Sequence, residues 1–267
     1  MSLSKILLII PLLIISSFSI AAATPPAITH TQWDELLKKY VSEEGNVNYK
    51  GFVADKTQLE QYLNLLSTNR PSKDWTRDEQ LAYWINAYNA FTVKLIIDHY
   101  PVKSIKDIKN GIPFINSVWD IKFFTIGGKK MTLNDIEHGI IRKEFKEPRI
   151  HFAVNCASFS CPVLLNEAFI ASKLDAQLSK QTKIFLNDTR KNQISANKIV
   201  ISKIFNWYST DFTNKGFFSR LFGKKNRGRQ FVQFIAPYVT EPINKDAKVE
   251  YMDYDWSLNE GSKMMKK

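Results

Sequence analysis

The segment from Leu81 to Tyr100 is the longest helical pattern in the sequence, and most of its residues are apolar. Thr76 and Glu79 precede it with the spacing of a capping box, in which the two side chains bond the opening amides of a helix. Pro101 ends it, because proline has no amide hydrogen and clashes with the preceding turn. We therefore predict one long helix between Thr76 and Pro101.

Three amide side chains interrupt this apolar pattern, those of Gln80, Asn86 and Asn89. A buried amide must find hydrogen-bond partners. Two interpretations stay open for Asn86 and Asn89. They tie the helix to the ends of neighbouring strands and loops, or they contact a substrate or an oxyanion.

The rest of the chain mixes helical and strand patterns, and no internal repeat divides it. Helices are predicted around Trp33–Val41 and over Lys56–Ser67, Thr132–Phe145, Ser172–Asn187 and Arg229–Tyr238. Strands are predicted over Val118–Ile126 and Lys129–Thr132 about the Gly127-Gly128 turn, over Ile150–Asn155, over Gln193–Lys203 with a turn at Ala196-Asn197, and over Val249–Trp256. These patterns predict an α+β fold: a single domain with a helical N-terminal third and a central, mainly antiparallel sheet packed by helices.

The first residues have the pattern of a secretory signal peptide. Lys5 precedes the apolar run Ile6–Ile15, and the small residues that end at Ala23 suit cleavage there. The apolar run is shorter than the ~20 residues that a membrane-spanning helix needs. We expect a periplasmic or extracellular protein with a signal peptide at 1–23, a globular domain at 24–259 and a disordered tail at 260–267.

Composition and charge bear on the partners. Hydrophobic residues make up 44% of the chain, enough for a core that does not rely on disulfides. The net charge is +11, and the densest basic run is Lys224–Arg229. Such a run is usually a solvated loop, although the charge allows peripheral contact with an anionic envelope surface. The chain has no nucleic-acid-binding signature, so no nucleic-acid partner is expected, and the oligomeric state stays open.

Several motifs together resemble one known family. They are Leu81–Phe91 (LAYWINAYNAF), Leu133–His138 (LNDIEH), Arg149–Ala153 (RIHFA), Ser160-Cys161-Pro162, Phe185–Asp188 and Ser202–Phe212. The set resembles the bacterial domain of unknown function 547 over roughly residues 75–240. The resemblance implies one domain and carries no known reaction.

Both cysteines of the chain and one of its four histidines lie between His151 and Pro162. In an oxidising compartment Cys156 and Cys161 favour a disulfide. So short a loop gains less than the ~3 kcal/mol of a fifteen-residue loop, so the bond would serve local geometry or redox switching. The alternatives are a free catalytic thiol, buried inert thiols or a metal ligand. The spacing of paired metal-ligand motifs is absent, and we expect no metal or other cofactor.

His151 is the first candidate for a catalytic base. If Ile150–Asn155 is a strand, His151 and Cys156 point to opposite faces, which argues against a direct pair. Glu137 lies on the apolar face of its helix and needs a partner there, either Arg149 or His151. We therefore predict that Glu137 orients His151. His138, on the more polar side of the same helix, is the alternative base.

Cys161 is an equal candidate for the nucleophile. Pro162 suits the first position of a helix, whose amides would lower the pKa of Cys161 and form an oxyanion hole. The resulting hypothesis is a thiol- or imidazole-dependent hydrolase that acts on amide or ester bonds of a small molecule or peptide. Asn155, Ser158 and Ser160 are predicted to contact the substrate. The alternative is a non-catalytic envelope binding module whose Cys156–Cys161 bridge shapes a recognition loop.

Overall fold

The computed structural model describes residues 27–109, 117–213 and 223–261. Its α-helices span Thr31–Tyr40, Tyr49–Ala54, Lys56–Thr68, Arg77–Asp98, Leu174–Asn187, Ile204–Trp207 and Gly223–Ile235, and a wider helix of π type spans Asp135–Phe145. Short 3-10 helices span Ile105–Asp107, Val118–Asp120, Pro148–Phe152, Ala171–Lys173 and Ala236–Tyr238. None of the helices in these ranges has the length and apolar character needed to cross a bilayer. The predicted signal peptide and positions 262–267 of the predicted tail lie outside the described residues.

The long helix, Arg77–Asp98, is buried along most of its length, and every residue from Leu81 to Val93 is inaccessible to solvent or nearly so. The predicted capping box is confirmed: the Glu79 amide donates to Thr76 Oγ1, and the Thr76 amide donates to Glu79 Oε2 at 2.7 Å. The two helices that precede it, Tyr49–Ala54 and Lys56–Thr68, pack against it. The long helix is therefore the element on which the first third of the fold is assembled.

The two asparagines of the long helix are bonded to backbone. Asn86 donates to the Phe169 carbonyl and accepts from the Phe169 amide, at 2.7 and 3.0 Å. Asn89 donates to the Ala153 carbonyl at 2.9 Å and accepts from the Asn155 amide at 2.8 Å. The interpretation that these amides tie the helix to neighbouring loops is confirmed. Asn89 thereby fixes the segment that leads into the cysteines.

The α+β fold is confirmed, and its strands form two small sheets. In the first, Phe124–Ile126 and Lys129–Met131 pair antiparallel across Gly127-Gly128, whose φ angles of 58° and 75° suit a two-residue hairpin turn. In the second, Gln193–Ile194 and Lys198–Ile201 form the hairpin predicted around Ala196-Asn197. Lys248–Tyr251 adds to it as a parallel strand.

The chain passes from one hydrophobic cluster to another between residues 152 and 153. The larger cluster surrounds the long helix and includes Ala153 and Val154. The smaller one includes Phe152, Phe205 and Phe212 and lies against the second sheet. The chain thus crosses from one cluster to the other immediately before the cysteines.

The strand predicted over Ile150–Asn155 is wrong, because the chain forms a 3-10 helix over Pro148–Phe152 instead. Pro148 at its start fixes a helical φ, and the Glu147 side chain accepts from the Arg149 amide at 3.1 Å. The Ala153 amide then bonds the Ile150 carbonyl at 2.9 Å. This local chemistry outweighs the β-branched and aromatic content on which the prediction rested.

Several predicted boundaries also need correction. Residues 118–120 form a 3-10 helix because the Ser117 amide bonds Asp120, so only the end of the predicted Val118–Ile126 strand is extended. The sequence patterns missed the helix Tyr49–Ala54, which is capped by Asn48. The helix predicted from Arg229 begins at Gly223, and the strand predicted over Val249–Trp256 ends at Tyr251. The helix predicted over Ser172–Asn187 becomes α-helical only at Leu174, after the 3-10 helix Ala171–Lys173.

Candidate functional site

The loop from Asn155 to Cys161 is held in shape from both sides. On one side, Asn155 Oδ1 accepts from the Ala157 amide at 2.8 Å, which fixes Ala157 in the left-handed region at φ 60°. On the other, the Phe159 and Ser160 amides donate to the Ser257 and Asp255 carbonyls at 2.7 and 3.2 Å. The C-terminal segment therefore clamps this loop against the body of the protein.

Both cysteines are free thiols, and their sulfur atoms are 3.0 Å apart. That distance is a hydrogen-bonded contact, whereas a disulfide bond measures about 2.05 Å. Cys156 is partly exposed, whereas Cys161 is buried with 3% of its surface accessible. The two thiols therefore differ in access to a substrate.

The two thiols also differ in acidity. Hydrogen bonds from the Cys161 thiol and from the Ser158 and Tyr254 hydroxyls outweigh burial and lower the pKa of Cys156 to about 7. The two hydroxyl oxygens lie 3.2 and 3.4 Å from Cys156 Sγ. Burial raises the pKa of Cys161 well above that of an ordinary thiol. Cys156 is thus the thiolate of the pair near neutral pH.

The helix predicted to begin at Pro162 does not form. The Pro162 carbonyl accepts from Asn155 Nδ2 at 2.6 Å and the Val163 carbonyl from Gln181 Nε2 at 2.9 Å, so tertiary bonds replace the helical ones. The Cys161 amide donates to the Ser158 carbonyl at 3.1 Å. The proposed oxyanion hole at a helix start is therefore wrong, and so is the lowered pKa expected for Cys161.

A cavity of about 160 Å³ opens beside the thiols. All five residues predicted to be catalytic line it: Glu137, His138, His151, Cys156 and Cys161. His151 makes no hydrogen bond to either sulfur within the described ranges, which agrees with the expectation that the two groups form no direct pair. A reacting group in the cavity would instead lie between the thiol and the imidazole.

The carboxylate that orients His151 is Asp211. His151 Nε2 and Asp211 Oδ2 are 2.8 Å apart, and Arg142 donates to both oxygens of Asp211 at 2.5 and 3.0 Å. Burial opposes ionisation of Asp211, but the bonds from His151 and Arg142 outweigh it and hold the pKa of that carboxyl below its usual range. Burial also lowers the pKa of His151, despite the opposing bond to Asp211. His151 is therefore neutral at pH 7, with its proton on Nε2 and an accepting Nδ1.

The predicted partners of Glu137 are wrong. Arg149 pairs with Glu147 at 2.7 Å and Asp175 at 2.9 Å, and no hydrogen bond in the described part of the chain joins Glu137 to Arg149 or His151. Other carboxylates occupy both candidates: Glu147 and Asp175 engage Arg149, and Asp211 engages His151. Glu137 is buried and lines the cavity with Tyr208, whose pKa is raised by burial and then by this carboxylate.

His138 is part of the same polar network. Arg142, four residues later on the same helix, donates to His138 Nδ1 at 2.6 Å. A neutral His138 then carries its proton on Nε2. Arg142 thereby links His138 to Asp211.

Part of the chain matches the model of a family of unknown function. Residues 72–186 match the model of the family described as "Protein of unknown function, DUF547". This match supports the resemblance. No curated protein and no solved structure matches the chain.

The DUF547 segment supplies only part of the cavity. It contains both thiols, His151 and Glu137, whereas Asp211 and the aromatic residues Trp207, Tyr208, Tyr254 and Trp256 follow it in the chain. Sequence patterns missed Asp211 because it lies sixty positions from His151, within the aromatic stretch Phe205–Phe212. That stretch divides: Phe205 and Phe212 are buried in the smaller cluster, and Trp207 and Tyr208 line the cavity.

An aromatic stack lies at the mouth of the cavity beyond the DUF547 segment. Trp207, 45% exposed, stacks on Trp256 with centroids 5.7 Å apart and lies 4.8 Å from Tyr254. Lys106 lies 4.5 Å above the Trp256 ring. The stack gives a ligand an apolar surface next to Cys156.

Besides Asn86 and Asn89, three further residues of the DUF547 segment are predicted to contact substrate, and their surroundings differ. Ser158 Oγ lies 3.2 Å from the Cys156 sulfur and 3.0 Å from the Tyr254 hydroxyl oxygen. Asn155 is buried, and its amide bonds the loop backbone. Ser160 Oγ accepts from the Asp255 amide at 2.9 Å. Among these three, Ser158 is the residue that borders the reactive sulfur.

Proposed function

We propose that this protein is a cysteine-dependent hydrolase of amide or ester bonds, with Cys156 as the nucleophile. The observation that carries the proposal is a partly exposed thiol, with its pKa lowered to about 7, in one cavity with an imidazole held by a carboxylate. Nucleophile, base and orienting group are the parts of a thiol hydrolase. Asp211 takes the orienting role first expected of Glu137.

The first step needs no base, because Cys156 is substantially ionised near neutral pH. Its sulfur attacks the acyl carbon, the bond to the leaving group breaks, and the leaving group takes a proton from water. A thioester on Cys156 results. His151 then accepts a proton at Nδ1 from a water that attacks this thioester, and Asp211 stabilises the imidazolium that forms.

A negative charge develops on the acyl oxygen and needs a hydrogen-bond donor. Loop amides already donate to acceptors within the protein, so we assign this role to a side chain. Tyr254 is our candidate: its hydroxyl is 3.4 Å from Cys156 Sγ, and burial raises its pKa so that it stays protonated. A donor placed beside the nucleophile stabilises the oxyanion more than the neutral substrate.

An acyl-enzyme assay tests the proposal. The full chain is mixed with p-nitrophenyl acetate, nitrophenolate release is followed in time, and peptide mass spectrometry locates the acetyl group. We expect a burst with the acetyl group on Cys156, no burst with Cys156→Ser, and slower thioester hydrolysis with Asp211→Asn. Asp175→Asn is the matched control, because its side chain is 84% exposed and remote from the cavity. Acetylation elsewhere, or a burst that survives Cys156→Ser, contradicts the proposal.

One observation supports the alternative, a non-catalytic envelope binding module. The exposed face of Trp207 in the aromatic stack offers binding without chemistry. A ligand that quenches tryptophan fluorescence equally in the native chain and in Cys156→Ser, with no acyl-enzyme formed in either, would favour this alternative.

We also propose that the chain is an exported bacterial protein, periplasmic or extracellular, released by signal cleavage near Ala23. The support is the pattern of Lys5, the apolar run and the small residues. A small molecule or peptide is the expected substrate, and the net charge of +11 supports peripheral contact with anionic envelope surfaces. N-terminal sequencing of protein recovered from the periplasm of an expressing bacterium tests the cleavage. An intact N-terminus in the cytoplasmic fraction contradicts it.

A further inference from the structure

The two thiols have an arrangement that hydrolysis does not require. A hydrolase needs one sulfur, yet a second lies 3.0 Å behind it, buried and in direct contact. We propose that Cys156 and Cys161 form a dithiol that exchanges with external disulfides, which gives the protein a thiol–disulfide oxidoreductase activity. This activity is distinct from the proposed hydrolysis, and it needs neither His151 nor an acyl substrate.

The burial of the two sulfurs fixes the order of the steps. Both thiols line the cavity, but Cys156 is partly exposed whereas Cys161 has only 3% exposure. The backbone holds Cys161 at both ends: its amide donates to the Ser158 carbonyl at 3.1 Å, and its carbonyl accepts from Lys191 Nζ at 2.7 Å. An external disulfide therefore meets Cys156 first, and Cys161 is the resolving thiol.

The reaction balances as two displacements at sulfur. The Cys156 thiolate attacks one sulfur of an external disulfide, forms a mixed disulfide and releases one thiolate. The Cys161 thiol then loses its proton to that released thiolate and attacks Cys156 Sγ. The Cys156–Cys161 bond forms and the second external sulfur leaves as a thiolate. The dithiol has lost two electrons, and the external disulfide has gained them.

The surroundings of Cys161 support the second displacement. The Cys156 amide donates to Cys161 Sγ at 3.0 Å, which stabilises a thiolate there as it forms. Lys191 adds a buried positive charge on the other side, 3.6 Å from Asp188 and bonded to the Cys161 carbonyl. Hydrolysis uses neither contact. Both favour ionisation of a thiol that burial otherwise keeps protonated.

The contacts of Cys156 favour a reversible disulfide over a permanent one. In the reduced state the Ser158 and Tyr254 hydroxyls form hydrogen bonds with its sulfur, at 3.2 and 3.4 Å. These bonds stabilise the thiolate and are weakened when the sulfur becomes neutral in a disulfide. A stabilised reduced form makes the corresponding disulfide a stronger oxidant, which is the property of exchanging rather than structural disulfides.

The test uses the reduced full chain and oxidised glutathione, without any acyl substrate. We expect the native chain to release two glutathione thiols per molecule and to end with a Cys156–Cys161 bond seen by peptide mass spectrometry. Cys161→Ser should stop at a stable mixed disulfide on Cys156 with one thiol released. Cys156→Ser should react at least tenfold more slowly, because its remaining thiol is buried.

One measurement needs no substitution, so a variant that fails to fold leaves the proposal testable. If the native chain retains glutathione and releases a single thiol, Cys161 does not resolve the mixed disulfide and the proposal is overturned. A burst with p-nitrophenyl acetate alongside that result would leave the hydrolase standing. Complete exchange without any acyl-enzyme would contradict the proposed hydrolase and leave the oxidoreductase proposal standing.

Discussion

Replacing Cys161 with alanine should raise the pKa of Cys156, because the Cys161 thiol is the largest of the contributions that lower it to about 7. A hydrogen bond to a charged group contributes about 1.5–3 kcal/mol, and 1.36 kcal/mol corresponds to one pKa step, so we expect a rise of about one to two. An ordinary thiol, with a value of 9.0, sets the upper limit. Since the Ser158 and Tyr254 bonds remain, the pKa of Cys156 in the variant should lie between about 7 and 9.0.

The assay is alkylation of Cys156 by iodoacetamide as a function of pH. The rate follows the thiolate, so it should rise with pH through an inflection near 7 in the native chain. At pH 7 about half of the Cys156 is ionised, and a pKa of 8 to 9 would leave roughly a tenth to a hundredth, so the variant should react about 5- to 50-fold more slowly.

Cys161→Ser is the matched control, since serine keeps a hydrogen-bond donor next to the Cys156 sulfur. Its inflection should lie between those of the native chain and the alanine variant. If the alanine variant retains an inflection near 7, the Cys161 thiol does not set the acidity of Cys156 and the reasoning is refuted. An inflection near 9 in the native chain would refute it as well.

Three further outcomes are expected. Burial lowers the pKa of His30 to about 4 from 6.5, so folding should be favoured above pH 6.5 and lose up to roughly 3 kcal/mol as the pH falls through 4; urea unfolding of His30→Phe should lack most of this loss. Asn89→Leu should cost about 2–4 kcal/mol, because it removes one bond to Ala153 and one to Asn155, whereas the exposed Asn64→Leu should change stability by less than about 0.5 kcal/mol. Trp207→Ala should weaken ligand binding at the cavity mouth and leave the thermal midpoint nearly unchanged, and an unaltered affinity would remove the aromatic stack from the binding site.

Local chemistry explains which parts of the fold the sequence predicts. Thr76 with Glu79 and Thr132 with Asp135 start helices through bonds three residues apart, and both capping boxes form. The Gly127-Gly128 hairpin likewise depends only on backbone freedom at the turn. Such signals are complete within a few residues and need no knowledge of the tertiary structure.

The candidate site was predictable in its residue types and less so in its pairings. The presence of Glu137, His138, His151 and both cysteines in one cavity agrees with the prediction, because burial of their segments could be inferred from apolar spacing. The Asp211–His151 and Tyr254–Cys156 contacts join residues that are 60 and 98 positions apart in the sequence, so no local sequence pattern predicts them. The strand error at Ile150 had a further cause: Pro148 and Glu147 initiate a helical turn, whereas apolar content alone suggested extension.

The cavity lies where the two hydrophobic clusters come together, because its walls come from segments that are packed in different clusters. Its thiol loop is anchored in the larger cluster through Ala153, Val154 and Ala157, and Phe205 and Phe212 anchor the segment with Trp207, Tyr208 and Asp211 in the smaller. If the smaller cluster opens by itself, the imidazole loses its carboxylate and the thiol its aromatic cover, while the long helix stays packed. The reactivity of Cys156 should then be lost at a lower denaturant concentration than the helical circular dichroism signal. Thiol reactivity would therefore report whether the two clusters are packed together, and not whether each one is folded.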